Sequence, residues 1–234
     1  MFHRTLDRHT LNGGASVVAG RATLITAVAD AIIERGDQSK PYRYVPMFLP
    51  GQAASIPVGA PINLVNAQRT DERPLERLPL SRDRFALTGR LAHRFSSSTL
   101  RVEERIYVDT WGLKASTSDA QYIFDFTPRF SLAPHGRAHL QGGVDFWQRA
   151  YELAEGAGGQ LSAPSIRTGD RELGPLQSFT GGLGMQLDLG ANAGARAVVL
   201  SLLTDVVHTN YLDALYLKER NAVFFAVSLD ATFE

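Results

Sequence analysis

The strongest constraint on this chain is a one-by-one alternation of apolar and polar residues that recurs along its length. Tyr122, Phe124, Phe126 and Phe130 alternate with Gln121, Asp125, Thr127 and Arg129. Phe85, Leu87, Leu91 and Phe95 face away from Thr88, Arg90 and Arg94, and Leu100, Val102, Ile106 and Val108 from Arg101, Glu103, Arg105, Tyr107 and Asp109. Leu140, Val144 and Phe146 are set against His139, Gln141, Asp145, Trp147 and Arg149, and Phe179, Leu183, Met185, Leu187 and Leu189 against Thr180, Gln186 and Asp188. A period of two puts successive side chains on opposite faces of an extended strand, and no helical i, i+3, i+4, i+7 pattern is sustained.

The pattern predicts nine strands, over residues 9–18, 21–35, 83–95, 99–111, 118–131, 136–151, 178–190, 195–209 and 219–233. Most exceed the usual length of about five or six residues and reach the roughly nine to eleven that a tilted strand needs to cross a bilayer. The connections alternate in length. Residues 19–20, 96–98, 132–134 and 191–194 are tight and carry Gly, Pro, Asn or Ser, whereas 36–82, 112–117, 152–177 and 210–218 are longer. Short turns on one side and long loops on the other characterise outer-membrane barrels. The stretch from Pro41 to Pro79 holds seven of the 11 prolines and is predicted as a long, partly folded loop, because proline cannot donate to an interior ladder.

Composition narrows the chemistry. Lys+Arg and Asp+Glu are equal at 24 each, which leaves no broad basic face for nucleic acid. The absence of Cys removes disulfides, thiolate metal sites and a Cys nucleophile. The six histidines lack metal-ligand spacing, and His135 and His139 would lie about 13 Å apart along a strand. No apolar run is long enough for a spanning helix, so a membrane protein of this sequence must be a barrel. No cofactor is expected.

The expected fold is therefore all-β, an antiparallel up-and-down transmembrane β-barrel forming a single domain over 1–234, with long outer loops at 36–82 and 152–177 and a bacterial outer-membrane location. Phe85, Phe95, Phe130, Phe179 and Phe233 near strand ends suit interfacial girdles, and Ala27, Ala29, Ala31 and Gly142 are small outward residues. Strand parity puts Met1 on the loop side, whereas single-chain barrels have even strand numbers and both termini on the turn side. MFHRTLDRHTLNGG also lacks an apolar leader core. The expectation is an export signal and at least one strand upstream, giving ten to twelve strands. Glu104, Asp205 and His93 fall near the apolar face, unless a one-residue bulge turns them inward.

Arg90, Arg94, Arg101, Glu103, Arg105, Asp109, Asp125 and Arg129, continued by Asp145 and Arg149, are the candidate lumen-lining residues. They suit either an electrostatic constriction for ions and small solutes or a salt-bridged network that fills a narrow barrel, and the balanced signs favour the network. No catalytic or metal residue is expected. His208, Thr209 and Asn210 are the nearest approach to a hydrolase constellation. The GGLG run at 181–184 sits within a strand, so close packing or curvature is expected there rather than a phosphate loop.

PYRYVP, DRFALTGRLAHRFSSSTLRVEERIYVDTWGLKAST and GGVDFWQRAYE together resemble an uncharacterised family of bacterial outer-membrane barrels. Lys40, Pro41, Tyr42 and Arg43 carry one element of that resemblance, and Tyr107, Asp109, Trp111 and Gly112 the other. It covers most of the chain and implies fold and location but no activity. The partners it implies are outer-membrane lipid and the barrel-assembly machinery, which commonly reads a terminal aromatic residue where this chain ends TFE. A narrow pore or a structural surface protein is the expected role. The alternatives are a soluble β-barrel holding an apolar ligand and an outer-membrane lipid-modifying enzyme.

Overall fold

The computed structural model describes residues 5–156, 158–192 and 195–232. Met1, Phe233 and the centre of the fourth tight turn, Ala193 and Gly194, lie outside these residues. Nine long strands form one antiparallel sheet in chain order: β1 (Leu6–Val18), β2 (Thr23–Gly36), β3 (Ser81–Arg94), β4 (Ser98–Asp109), β5 (Lys114–Thr127), β6 (Phe130–Gln141), β7 (Leu176–Asn192), β8 (Ala195–Tyr211) and β9 (Glu219–Thr232). Each pairs with the next in an up-and-down meander, and β1 and β9 form the two edges. A shift of one residue would exchange the two faces of a strand, so the alternation selects the register.

The described strands follow the sequence pattern closely except at the third hairpin. β5 and β6 turn through Pro128 and Arg129, not through residues 132–134. Pro128 presets φ for the turn, and the Arg129 N–H donates to Thr127 Oγ1 at 3.2 Å. Pro134 instead lies inside β6, opposite Leu183 of β7. On its other side the β5–β6 ladder skips from Gln121↔His135 to Phe124↔Leu132, where proline has no N–H to give. With its start moved back, β6 ends at Gln141 rather than near residue 151, and Gly142 is not on a strand.

One sheet face carries Leu11, Ile25, Leu87, Ile106, Phe126, Leu183, Val223 and Leu229, all exposed. The other carries most of the charged residues of the strands. The core lies elsewhere: nearly all buried apolar side chains belong to the four long connections, which fold together at one end of the sheet as a cap. Phe48, Ile56, Val65 and Ala150 form one cluster, with Leu215 against it. Leu78, Trp111, Leu113, Val144 and Leu173 form another. Each cluster draws on three connections, so no connection packs alone. Backbone bonds lock them further: Met47–Phe48 pairs in parallel with Tyr151–Glu152, the Gly59 N–H donates to the Ala214 carbonyl at 2.7 Å, and the Leu212 N–H donates to the Pro175 carbonyl at 3.0 Å. The proline-rich segment thus has a compact structure of its own, including the short helix α1 (Ile62–Gln68).

Glu76 is the polar hub of the cap. It is buried, and its carboxylate accepts from the Lys40 N–H (2.9 Å), Arg43 Nη1 (3.1 Å) and Thr168 Oγ1 (2.6 Å). The Thr168 N–H in turn donates to the Tyr151 hydroxyl at 3.1 Å, which donates to the Phe146 carbonyl at 2.8 Å. Burial pushes the Tyr151 phenol above its ordinary pKa, so this donor keeps its proton. Replacing Glu76 strands three donors in a buried setting. Glu76→Ala is expected to loosen the cap by about 2–4 kcal/mol, read as new protease cleavage within 37–80 and 142–175 while the sheet strands stay protected.

Candidate functional site

On the polar face, opposite charges meet across neighbouring strands and, for Arg105–Asp30 and Arg94–Asp125, across an intervening strand. Near the cap, Arg82 Nη2 lies 2.5 Å from Asp109 Oδ2, and its guanidinium stacks 4.2 Å over the Trp111 ring. Glu34 stands between Arg8 (3.1 Å) and Arg84 (2.6 Å). Asp30 accepts from Asn12 and from Arg105, the latter at 2.8 Å. Arg90 pairs with Glu103, and Arg94 with Asp125 toward the tight turns. Glu34 and Asp109 have almost no exposed side chain, so their partners matter; the half-exposed Arg90 and Arg94 pairs contribute little to stability.

The structure brings Arg90, Arg94, Arg101, Glu103, Arg105, Asp109 and Asp125 onto this one face, as the alternation predicted; Arg101 stands opposite Gln121. It moves the other three candidates. Arg129 is in the β5–β6 turn. Asp145 and Arg149 lie in the cap, where the Asp145 N–H donates to the Trp111 carbonyl and Arg149 pairs with Asp213. The period-two pattern of 144–149 comes from Val144 and Phe146 packing against Trp111, not from a strand.

The three residues near the apolar face separate. Asp205 is on the polar face, 2.7 Å from His135 Nε2, reaching across Gly182, which is in register with both. His93 lies at the tight-turn end, its Nδ1 2.7 Å from Thr23 Oγ1 and its ring edge-on to Phe95. Glu104 stays on the apolar face in regular register, with no bulge, and accepts from the Ser116 hydroxyl at 2.5 Å and from the Ser118 hydroxyl. His208 and Thr209 point to opposite faces: His208 contacts Asn221 and Asn210, whereas Thr209 bonds Ser178. They do not converge as a triad would.

The two sequence elements noted above are both connection anchors. Arg43 bridges Glu76 and Asp170 (2.6 Å). Asp109 accepts from Arg82, the Tyr107 hydroxyl (2.9 Å) and the N–H groups of Trp111 (2.9 Å) and Leu113 (3.1 Å), while Trp111 Nε1 donates to the Ser81 carbonyl. Gly112 has φ +85°, and a Cβ there would fall on the Asp145 carboxylate.

Sequence reasoning missed a cleft of about 460 Å³ in the cap, lined by Tyr44, Trp147, Arg149, Tyr216 and the Arg43–Asp170 pair among others. Trp147 is held over Gly174, where a side chain would overlap its ring, and Nε1 donates to the Asp213 carbonyl at 2.9 Å. The available signal was the cluster of aromatic and charged residues in FWQRAYE and TGDRE, which the alternation argument had spent on a strand and a loop.

Among known families, a model described as a protein of unknown function (DUF3570) matches residues 6–200. The chain belongs to this family. The DUF3570 match runs from β1 into β8 and includes the connections that carry Glu76, Trp111 and Trp147. No curated protein and no solved structure matches the chain.

Two adjacent glycines test the packing of the polar face. Gly182→Ala would drive a methyl into the His135–Asp205 contact, whereas Gly181, on the other face, has open space beside it. Gly182→Ala is expected to lower the thermal midpoint, at a cost of about 1–3 kcal/mol. Gly181→Ala is expected to leave it unchanged or raise it, by up to about 1 kcal/mol.

Proposed function

We propose that this member of the DUF3570 family is an outer-membrane β-barrel whose long connections form an outer cap, acting as a structural, surface-presenting protein and, at most, a narrow pore. The observation that carries this reading is where the cap packs. Its Trp111–Leu113 cluster lies against Tyr107 and Ala115, both on the polar side of the sheet, so that side is the covered one. The apolar side is left open to a surrounding medium, and lipid hydrocarbon is the medium that suits it. Strands of 12 to 17 residues are long enough to cross.

In this reading the edges β1 and β9 are satisfied by closure of the sheet, because unpaired backbone in hydrocarbon costs several kcal/mol per group. The ring contacts from His93 through Phe95, Tyr122, Phe124 and Phe126 to Phe130 form an aromatic band at the tight-turn end, where a membrane interface would lie. The charge pairs and the cap both narrow the interior, which favours a structural role over a wide pore. A soluble barrel with an apolar ligand would need the apolar face turned inward, opposite to the side on which the cap packs.

Expressed with an export signal, the protein is expected in the outer-membrane fraction, to require detergent for extraction, and to migrate differently in unheated and heated detergent gels. Recovery as a detergent-free soluble protein with no heat-modifiable band would reject this assignment.

A further inference from the structure

The cap cleft combines three features. First, it offers aromatic faces to solvent: Tyr44 is 55% exposed and Tyr216 48% exposed, although both sit in the best-packed part of the molecule. Second, it holds backbone strain. Tyr216 is the one non-glycine among the described residues with positive φ, at 67°, in a three-residue turn closed by the Leu217 N–H on the Leu215 carbonyl at 2.8 Å. A bulky residue in that conformation costs of order 1–3 kcal/mol over glycine and marks a position where the side chain is needed. Third, its lining carries guanidinium donors, Arg43, Arg149 and Arg171, together with the carboxylate acceptors Asp170 and Glu172. Arg43 is paired with Asp170 and Arg149 with Asp213, and the buried Arg149 Nε has no hydrogen-bond partner.

These features specify a ligand class. The carboxylates beside the arginines oppose an anion, and the arginines oppose a cation. The paired guanidinium and carboxylate groups are too polar for a hydrocarbon, yet they suit hydroxyl groups, each of which donates and accepts. Exposed aromatic faces suit a ring with an apolar side. We propose that the cap cleft binds a saccharide, stacked on Tyr44 and Tyr216, with its hydroxyls on the Arg43–Asp170 pair and on Arg149. The volume of about 460 Å³ is in the range of small-molecule sites and accommodates one or two sugar rings. The cleft is built by the cap alone, so its occupancy does not depend on what surrounds the sheet.

The test uses the full chain, purified in detergent and fluorescently labelled, on an array of neutral and acidic glycans, with polyphosphate and heparin fragments as anionic probes. The best-retained glycan is then titrated by tryptophan emission, since Trp147 lines the cleft and Trp111 is buried. Neutral glycans are expected to be retained. Tyr216→Gly is the decisive variant, because glycine accepts the backbone conformation: it is expected to keep or raise the thermal midpoint while weakening binding tenfold or more. Tyr44→Ala is expected to weaken binding similarly. The proposal is overturned if no glycan is retained, if only the anionic probes are, or if both variants bind as the parent does.

Discussion

Opposite charges paired across the polar face of the sheet are the interaction on which this structure depends. Arg82–Asp109 and Glu34 between Arg8 and Arg84 hold two buried carboxylates near the cap, and Arg105–Asp30 joins β4 to β2 across β3. Leaving one of these buried carboxylates unpaired would cost several kcal/mol, so β1 to β4 are tied to the register that supplies its partner. The same register sends every other residue to the apolar face. The two faces are therefore one choice, made once per strand and propagated by the hairpins.

The sheet provides no apolar core of its own, and the cap supplies one. Glu76 and Asp109 do for the connections what the charge pairs do for the sheet, gathering backbone and side-chain donors from segments far apart in the chain. Each places one charged group at a junction where several connections meet. A cap so thoroughly cross-linked is rigid enough to hold Tyr216 in a conformation it would not otherwise adopt.

The strands were legible because a period of two is a local signal, readable from any few residues. Seven of the ten polar candidates share one face of the sheet for the same reason. The third hairpin shows the limit: Pro134 carries a turn signal, but proline is also tolerated where a ladder is interrupted, and only the pairing of β6 with β5 and β7 reveals which case applies. The placement of Asp145 and Arg149 follows from the same choice. The cap was legible only as a proline-rich loop, because its core comes from residues as distant as Phe48, Ala150 and Leu215 that carry no common periodicity. The cleft depends on that same assembly and could not be read before it.

The central claim is that the apolar face meets hydrocarbon while the polar face is turned inward. The chain has no cysteine, so single spin labels can be placed at will. Leu87→Cys and Leu183→Cys label the apolar face, and Gln121→Cys the polar face, in protein reconstituted into phospholipid bilayers. Power saturation is expected to show Leu87→Cys and Leu183→Cys labels accessible to oxygen and shielded from a water-soluble nickel chelate, with the Gln121→Cys label lacking that hydrocarbon signature. Nickel access at Leu87→Cys and Leu183→Cys equal to or above that at Gln121→Cys would contradict the account.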